Sequence, residues 1–152
     1  MKARSIHIIV EGITDRVVLS EILDLSKYPK VYWIVAQSKN NIASYVRTLR
    51  LMIESETKIL VVYDADTSDV TKVNESIEMM RQLSRSEYRK DNIRFYAFVP
   101  YLEKNLNMPD SMQKDAQQYK RYAKDHKEEL KHIEIIQKIQ EYVDQEEKMC
   151  DK

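Results

Sequence analysis

The stretch HIIVEGITD, residues 7–15, decides the fold, because a short apolar run ends there in an acid, a glycine and a second acid. Gly12 is the only glycine among the 152 residues, and it falls where a buried strand would turn into a helix. Glycine accepts a positive φ and allows close approach of backbone or ligand, so we expect a sharp turn there. The pattern places Glu11 at the carboxyl end of a central strand and Asp15 in the first helical turn, where open α/β sheets carry their chemistry.

A second apolar run, residues 58–63, ends in Asp64 and Asp66. Residues two apart on an extended chain point the same way, so these two carboxylates are expected to face one spot. If this strand lies beside the first, Glu11 and Asp15 join them at the same edge of the sheet. Such a cluster repels itself unless a cation neutralises it, and all-oxygen ligation suits Mg²⁺ or Mn²⁺. We therefore predict a site for one or two divalent ions.

Strand-like apolar runs alternate with amphipathic helical patterns along the chain, which predicts an α/β fold with a parallel sheet. Strands are predicted at 7–10, 31–36, 58–63 and 93–99, with helices at 14–26 and 41–54 and a long helix capped by Ser68 or Asp69. The first and third strands must be neighbours if the acids are to meet. The predicted spatial order is therefore 2-1-3-4.

Composition sets the broad class of protein. A hydrophobic content of 43% is ordinary for a folded domain, and 25 basic residues balance 25 acidic ones, so any site for a polyanion must be local. The single cysteine, Cys150, excludes an internal disulfide framework. No apolar run approaches the roughly 20 residues that span a bilayer, and the amino terminus lacks a signal-peptide pattern, so the expected compartment is the cytoplasm.

The two acidic motifs resemble a known pair. Glu11-Gly12-x-x-Asp15 after one strand and Asp64-x-Asp66 after a later one are similar to the signature motifs of the Toprim domain, which topoisomerases, bacterial primases, small RNases and OLD-type nucleases share. The sequences VEGITD, residues 10–15, and YDADT, residues 63–67, resemble most those of the OLD-like branch and of small stand-alone Toprim proteins. The resemblance covers roughly residues 5–106. The resemblance implies a three-layer α/β/α Rossmannoid fold in a Toprim-like domain, residues 1–108. The remaining residues, 109–152, are not matched, and their own pattern predicts a C-terminal helical extension packed on that domain.

The resemblance also implies roles for the acids. Glu103 follows the fourth predicted strand in a Pro-x-x-Glu segment, similar to one that supplies a metal ligand in OLD-like and related small Toprim proteins. Asp64 and Asp66 would then hold one ion with Glu11, while Asp15 and Glu103 would help a second. Two alternatives stay open: Glu103 is an exposed acid that opens a short helix, and Asp15 is an ordinary helix cap.

Several basic residues are candidates for contact with nucleic acid. OLD-like nucleases carry a lysine near the leaving phosphate, and Lys104 and Lys120 are candidate equivalents. The C-terminal region, predicted as two helices or one broken helix, has a basic stretch interleaved with Tyr119 and Tyr122: Lys114, Lys120, Arg121, Lys124, Lys127 and Lys131. This stretch either binds the nucleic-acid backbone, with the tyrosines stacking on bases, or is a solvated helix side. Its mixed charges favour the second interpretation.

The resemblance implies metal-dependent hydrolysis of nucleic acid. DNA is favoured over RNA as the partner, although the sequence does not decide between them. A Toprim topoisomerase needs a tyrosine from a separate domain and a primase needs zinc-binding regions, for which this chain has neither the length nor the Cys and His content. OLD-like nucleases usually carry an ATPase domain, and one glycine cannot build its phosphate loop. An ATPase partner would then be a separate polypeptide, as in two-gene phage-defence systems.

Two other functions remain open. One is a regulatory or scaffold Toprim protein that binds nucleic acid or a partner ATPase without turnover. The other is a phospho-acceptor, receiver-like module, although the pattern lacks a fifth strand with a lysine. The terminal helix could also pair two copies into a homo-oligomer. His7 shows no spacing typical of a metal ligand, and we predict that it is a packed side chain.

Overall fold

Four parallel strands form the centre of the protein in a computed structural model that describes residues 5–52, 57–84 and 92–145. The strands are β1 (Ser5–Val10), β2 (Lys30–Val35), β3 (Thr57–Asp64) and β4 (Ile93–Phe98). Their order is β2-β1-β3-β4, which confirms the predicted order. Because β1 pairs with β3 in a register that places Val10 opposite Val62, the carboxyl ends of these two strands lie side by side.

Helices cover both faces of the sheet, as the alternating pattern predicts. They are α1 (Ile13–Ile22), α2 (Lys39–Met52), α3 (Val70–Ser84), α4 (Leu102–Asn105), α5 (Ala116–Asp125), α6 (Lys127–Leu130) and α7 (Glu134–Asp144). Ile8 of β1 belongs to a buried cluster with α1, α5 and α7, whereas its neighbour Ile9 belongs to a second cluster with α2 and α3. None of the described helices is long and apolar enough to cross a membrane.

Helix α1 is shorter than predicted, ending at Ile22 instead of Ser26. The reason is a tertiary contact from α7. The side chain of Gln140 accepts from the N–H of Asp24 at 2.9 Å and donates to its carbonyl at 3.0 Å. These two bonds satisfy backbone groups of Asp24 that a longer helix would have used itself.

The C-terminal helices are joined to the sheet by a buried lysine. Lys58, near the start of β3, is 1% exposed, and its Nζ donates to the carbonyls of Tyr142 (2.6 Å) and Gln145 at the end of α7. The last carbonyls of a helix attract a cation because they lack intrahelical partners and carry the negative end of the helix dipole. The region predicted as two helices or one broken helix forms three helices, α5 to α7. The predicted end of α2 at Glu54, and Cys150, lie outside the described residues.

Two smaller predictions are confirmed. Asp69 caps α3, since its Oδ1 accepts from the N–H of Thr71 at 3.0 Å. His7 is a packed side chain that stacks on Tyr32 across the β1–β2 pair, with ring centroids 4.6 Å apart. Asp69 therefore has a structural role, and His7 is held by ring packing, although its buried Nδ1 has no hydrogen-bond partner among the described residues.

Gly12 marks the predicted turn, but not by a positive φ. Its φ of −136° and ψ of 166° are extended values that any residue adopts. A Cβ built at Gly12 would meet only Asp15 Oδ2, at an ordinary 3.6 Å. The left-handed residues of the described chain are instead Gln37, Asp66 and Asn107. The turn thus does not depend on the conformational freedom of glycine.

Gly12→Ala is therefore expected to change the free energy of unfolding by less than about 1 kcal/mol. Alanine is a poorer N-cap for α1, but it also restricts the unfolded chain, and the two effects oppose each other. Urea denaturation of both proteins measures the difference. A loss of several kcal/mol would show that this turn requires glycine after all.

Candidate metal and active site

Glu11, Asp15 and Asp64 come together where β1 and β3 end. Asp64 is the last residue of β3, and its N–H donates to Glu11 Oε1 at 2.7 Å. Asp15 lies in the first turn of α1, where its Oδ2 accepts from the N–H of Gly12 at 3.1 Å. Adjacent parallel strands therefore bring these three predicted acids to one edge of the sheet.

Glu103 approaches the same group from α4. The N–H of Leu102 donates to Asp64 Oδ1 at 2.8 Å, which fixes the start of α4 against the end of β3. The Oε2 atom of Glu103 accepts from Tyr119 Oη at 2.9 Å and lies 3.8 Å from Lys114 Nζ. Glu103 thus opens a short helix, but its side chain is only 23% exposed and is not a free surface acid.

Asp66 lines the same cleft as Asp64, but it is not held there by the extended-strand alternation on which the prediction was based. Strand β3 ends at Asp64, and Asp66 has a φ of 59°, so the alternation of an extended chain stops before it. The N–H of Asp66 donates to the carbonyl of Pro100 at 2.7 Å, and its carboxylate pairs with Lys39 at the start of α2. With a side chain 65% exposed, Asp66 lies at the rim of the site.

Burial and the neighbouring acids raise the pKa of two of these carboxyl groups, those of Asp15 and Asp64. Burial raises the pKa of Asp64 to about 7, with a further rise from the negative charges of Asp15, Glu11 and Glu103. Burial also raises the pKa of Asp15 to about 6, although the hydrogen bond from Gly12 opposes the rise. These carboxylates therefore carry negative charge that the surrounding protein compensates only in part.

Each of the four acids has one oxygen fixed by a hydrogen bond. The bonded atoms are Oε1 of Glu11, Oδ2 of Asp15, Oδ1 of Asp64 and Oε2 of Glu103. For the second oxygen of each acid, no hydrogen bond is formed with another described residue. An all-carboxylate set with free oxygens fits a hard divalent cation such as Mg²⁺ or Mn²⁺.

The acids are not arranged as a ready metal site. Within residues 5–52, 57–84 and 92–145, no group of three or more His, Cys, Asp or Glu side chains is placed to hold a metal ion. The free oxygens would have to move closer together to share one.

A cleft of about 350 Å³ opens beside the acids. Asp64, Asp66, Glu103, Tyr101 and Lys114 are among the residues that line it. Met112, Lys114 and Tyr119, which follow α4 in the chain, also line the cleft. The helical extension therefore contributes to the site. A substrate in this cleft would meet carboxylates and a cationic side chain together.

The two lysines predicted to contact phosphate are not among the residues that line this cleft. Lys104 is exposed on α4, and Lys120 Nζ lies 3.9 Å from Glu21 Oε1. The tyrosines of the basic stretch are not exposed platforms, because Tyr119 is buried and the ring of Tyr122 stacks on His126. Lys120, Arg121 and Lys124 are exposed on α5, whereas Lys114 precedes this helix and lines the cleft.

Three contacts of the site escaped the sequence analysis. Lys39 follows β2, and the order 2-1-3-4 could have placed it beside the end of β1. Lys114 and Tyr119 reach Glu103 from the extension, 11 and 16 residues further along the chain, and no local pattern marks them. Tyr119 in particular fixes Glu103. Burial raises the pKa of the Tyr119 hydroxyl, and the neighbouring acids raise it further.

Comparisons of the chain with protein-family models, with curated proteins and with solved structures found no match.

Proposed function

We propose that the protein is a divalent-metal-dependent nuclease that hydrolyses phosphodiester bonds in the cytoplasm, as its resemblance to OLD-like Toprim nucleases implies. The observation that supports this most is the group of four carboxylates at the ends of β1 and β3 and the start of α4, each with one fixed oxygen and one free oxygen. DNA is the proposed substrate in preference to RNA.

The residues divide into two roles. Glu11, Asp15, Asp64 and Glu103 would hold one or two ions of Mg²⁺ or Mn²⁺ through their free oxygens, with Asp66 at the rim. Such an ion supplies an activated water and stabilises negative charge on the leaving oxygen. Lys114 lines the cleft next to Glu103 and would attract the phosphate of the substrate. The hydrogen bond from Tyr119 keeps Glu103 directed at the other acids.

A cleavage assay tests this function directly. The purified protein is incubated with single-stranded and double-stranded DNA and RNA, in Mg²⁺, in Mn²⁺ or in a chelator. We expect products with a divalent ion and none with the chelator. The absence of products from every substrate in either metal would contradict the proposal.

A non-catalytic Toprim regulator or scaffold is the second candidate. It is favoured by one observation, the lack of a preformed group of metal ligands in the described part of the chain. This candidate predicts binding to nucleic acid or to a partner without cleavage. Binding measured in the same samples, by fluorescence anisotropy, separates the two functions.

A partner ATPase belongs to the nuclease proposal. The single glycine of the chain cannot form a phosphate-binding loop, so an ATPase activity of the OLD type would come from a separate polypeptide in a phage-defence or DNA-processing system. Copurification of an ATPase with the tagged protein from its native host, with cleavage that then depends on ATP, would support this part.

Tyr119→Phe is expected to lower the cleavage rate about tenfold. The change removes the hydroxyl that fixes Glu103 Oε2 and leaves that atom only Lys114, at 3.8 Å. The rate is measured at saturating metal, and the melting temperature is measured in parallel.

Tyr122→Phe is the matched control. Its hydroxyl donates to the backbone carbonyls of Leu106 and Asn107, at 2.7 and 3.0 Å, and touches none of the acids. This variant should cleave at nearly the wild-type rate even if it melts earlier. Equal rates for the two variants would remove the positioning role of Tyr119.

A further inference from the structure

An exposed tyrosine lines the cleft beside the acids, which is called the acid cleft below. Tyr101 is 41% exposed and lines the cleft together with Asp64 and Glu103. Its hydroxyl forms no hydrogen bond with any other described residue. A large aromatic ring that is left uncovered beside a charged cleft is available to a ligand.

The backbone that carries this ring is held firmly to the site on both sides. On one side, the carbonyl of Pro100 accepts from the N–H of Asp66 at 2.7 Å. On the other side, the N–H of Leu102 donates to Asp64 at 2.8 Å, and the side chain of Leu102 is fully buried. Tyr101 is therefore presented at a set place relative to Asp64, which suits a contact that orients a ligand.

The size of the cleft limits what the ring can meet. A volume of about 350 Å³ is near the lower end for sites that enclose small ligands, about 300–1,000 Å³, so it has room for one nucleotide unit. The bases of a duplex are covered on both faces by their neighbours. A base can stack on a side chain only when it is unpaired and turned out of the stack.

The side chains that line the cleft carry four carboxylates, those of Asp64, Asp66, Glu103 and Asp110, so a phosphate would enter it together with the divalent ion of the proposed function. Lys114, 70% exposed, lines the same cleft and provides a cation for a phosphate. The sulfur-containing side chains of Met108 and Met112 also line it and add apolar surface. The cleft therefore offers an aromatic face, an apolar wall and a cationic group within the reach of one nucleotide.

We propose that Tyr101 is a stacking platform for an unpaired base, and that the protein binds single-stranded nucleic acid with one nucleotide in the acid cleft. This inference rests on the proposed function, because it names single-stranded nucleic acid as the substrate that would reach the carboxylates. The binding itself can be measured without cleavage.

The test measures the binding of a fluorescent single-stranded oligothymidylate by anisotropy in Ca²⁺, which carboxylates bind with looser geometry than Mg²⁺. Tyr101→Ala is expected to weaken binding about tenfold, whereas Tyr101→Phe keeps the ring and should bind within about twofold of the wild type. Tyr45→Ala is the matched control, because Tyr45 is 42% exposed on α2 and does not line the cleft. It should bind like the wild type.

A duplex of the same length provides the second arm. The wild type should bind it more weakly than the single strand, and its binding should not depend on Tyr101. Failure to bind the single strand, or equal affinities of the Ala and Phe variants for it, would overturn the inference. If Tyr101-dependent binding is found and no metal cleaves any substrate, the inference stands and the nuclease proposal fails. If Tyr101→Ala changes neither cleavage nor binding, the nuclease proposal stands and the inference fails.

Discussion

Asp64→Asn and Glu11→Gln are each expected to lower the rate of metal-dependent cleavage by about a thousandfold or more. Each change removes one negative charge from the group that would hold the ion. Each also keeps the shape of the side chain. The amide oxygen of Asn can still accept from Leu102, and that of Gln can still accept from Asp64, so the local fold should persist.

The control for these variants is Asp69→Asn. Asp69 caps α3 through hydrogen bonds to the backbone and is exposed, away from the four acids. Since Asn is an equally good cap, this variant should cleave at the wild-type rate. Circular dichroism establishes that all three variants are folded. Metal-dependent cleavage near the wild-type rate in Asp64→Asn or Glu11→Gln would count against the proposed site.

The stability of the metal-free protein is expected to fall as the pH rises from about 4 to about 7. The ordinary pKa of an aspartate is 3.8, whereas those of Asp15 and Asp64 are raised to about 6 and about 7 in the folded protein. In this range the folded protein holds protons that the unfolded chain has released. The contribution of these two groups to the free energy of unfolding is therefore complete below about pH 4. It is lost as the pH rises through the raised pKa values.

Asp64→Asn should reverse the usual effect of a mutation and stabilise the metal-free protein by about 1–2 kcal/mol at about pH 8. The figure is smaller than the full pKa shift implies, because solvent reaches the carboxylate and screens its charge. Mg²⁺ at a hundred times its dissociation constant should stabilise the wild type by about 2.7 kcal/mol and the variant much less. A site kept for function at the expense of stability behaves in this way.

Urea denaturation at about pH 5 and about pH 8, with and without Mg²⁺, measures both effects. Asp69→Asn again serves as the control and should follow the wild type under all four conditions. If Asp64→Asn is no more stable than the wild type at high pH, the acids do not repel each other as their placement implies.

Much of the sheet could be predicted because its determinants are local. The apolar runs and the acids that end them mark β1 and β3, and the requirement that Glu11 and Asp64 meet gave the strand order without any tertiary information. The backbone conformation of Asp66 could not be predicted, because its φ is 59° and its N–H donates to the carbonyl of Pro100, which follows a different strand. Pattern rules for an extended strand do not reach beyond its last residue.

The rest of the site depends on contacts between distant parts of the chain. Tyr119 reaches Glu103 only because α5 packs against α1, and the buried position of Lys58 depends on the end of α7. The periodicity of α5 shows which residues are apolar, but it does not show which acid a buried hydroxyl will meet. Gly12 is the opposite case. As the only glycine it marked the position of the turn correctly, but the expected positive φ is absent, because its φ is −136°.

The central claim is that Glu11, Asp15 and Asp64 share one pocket and bind a divalent cation there. A crystal soaked in Mn²⁺ and measured for anomalous scattering tests it most directly. We expect one or two strong peaks in contact with oxygens of Glu11 and Asp64. A map with no peak at these acids, or with Mn²⁺ bound only at other carboxylates on the surface, would contradict it.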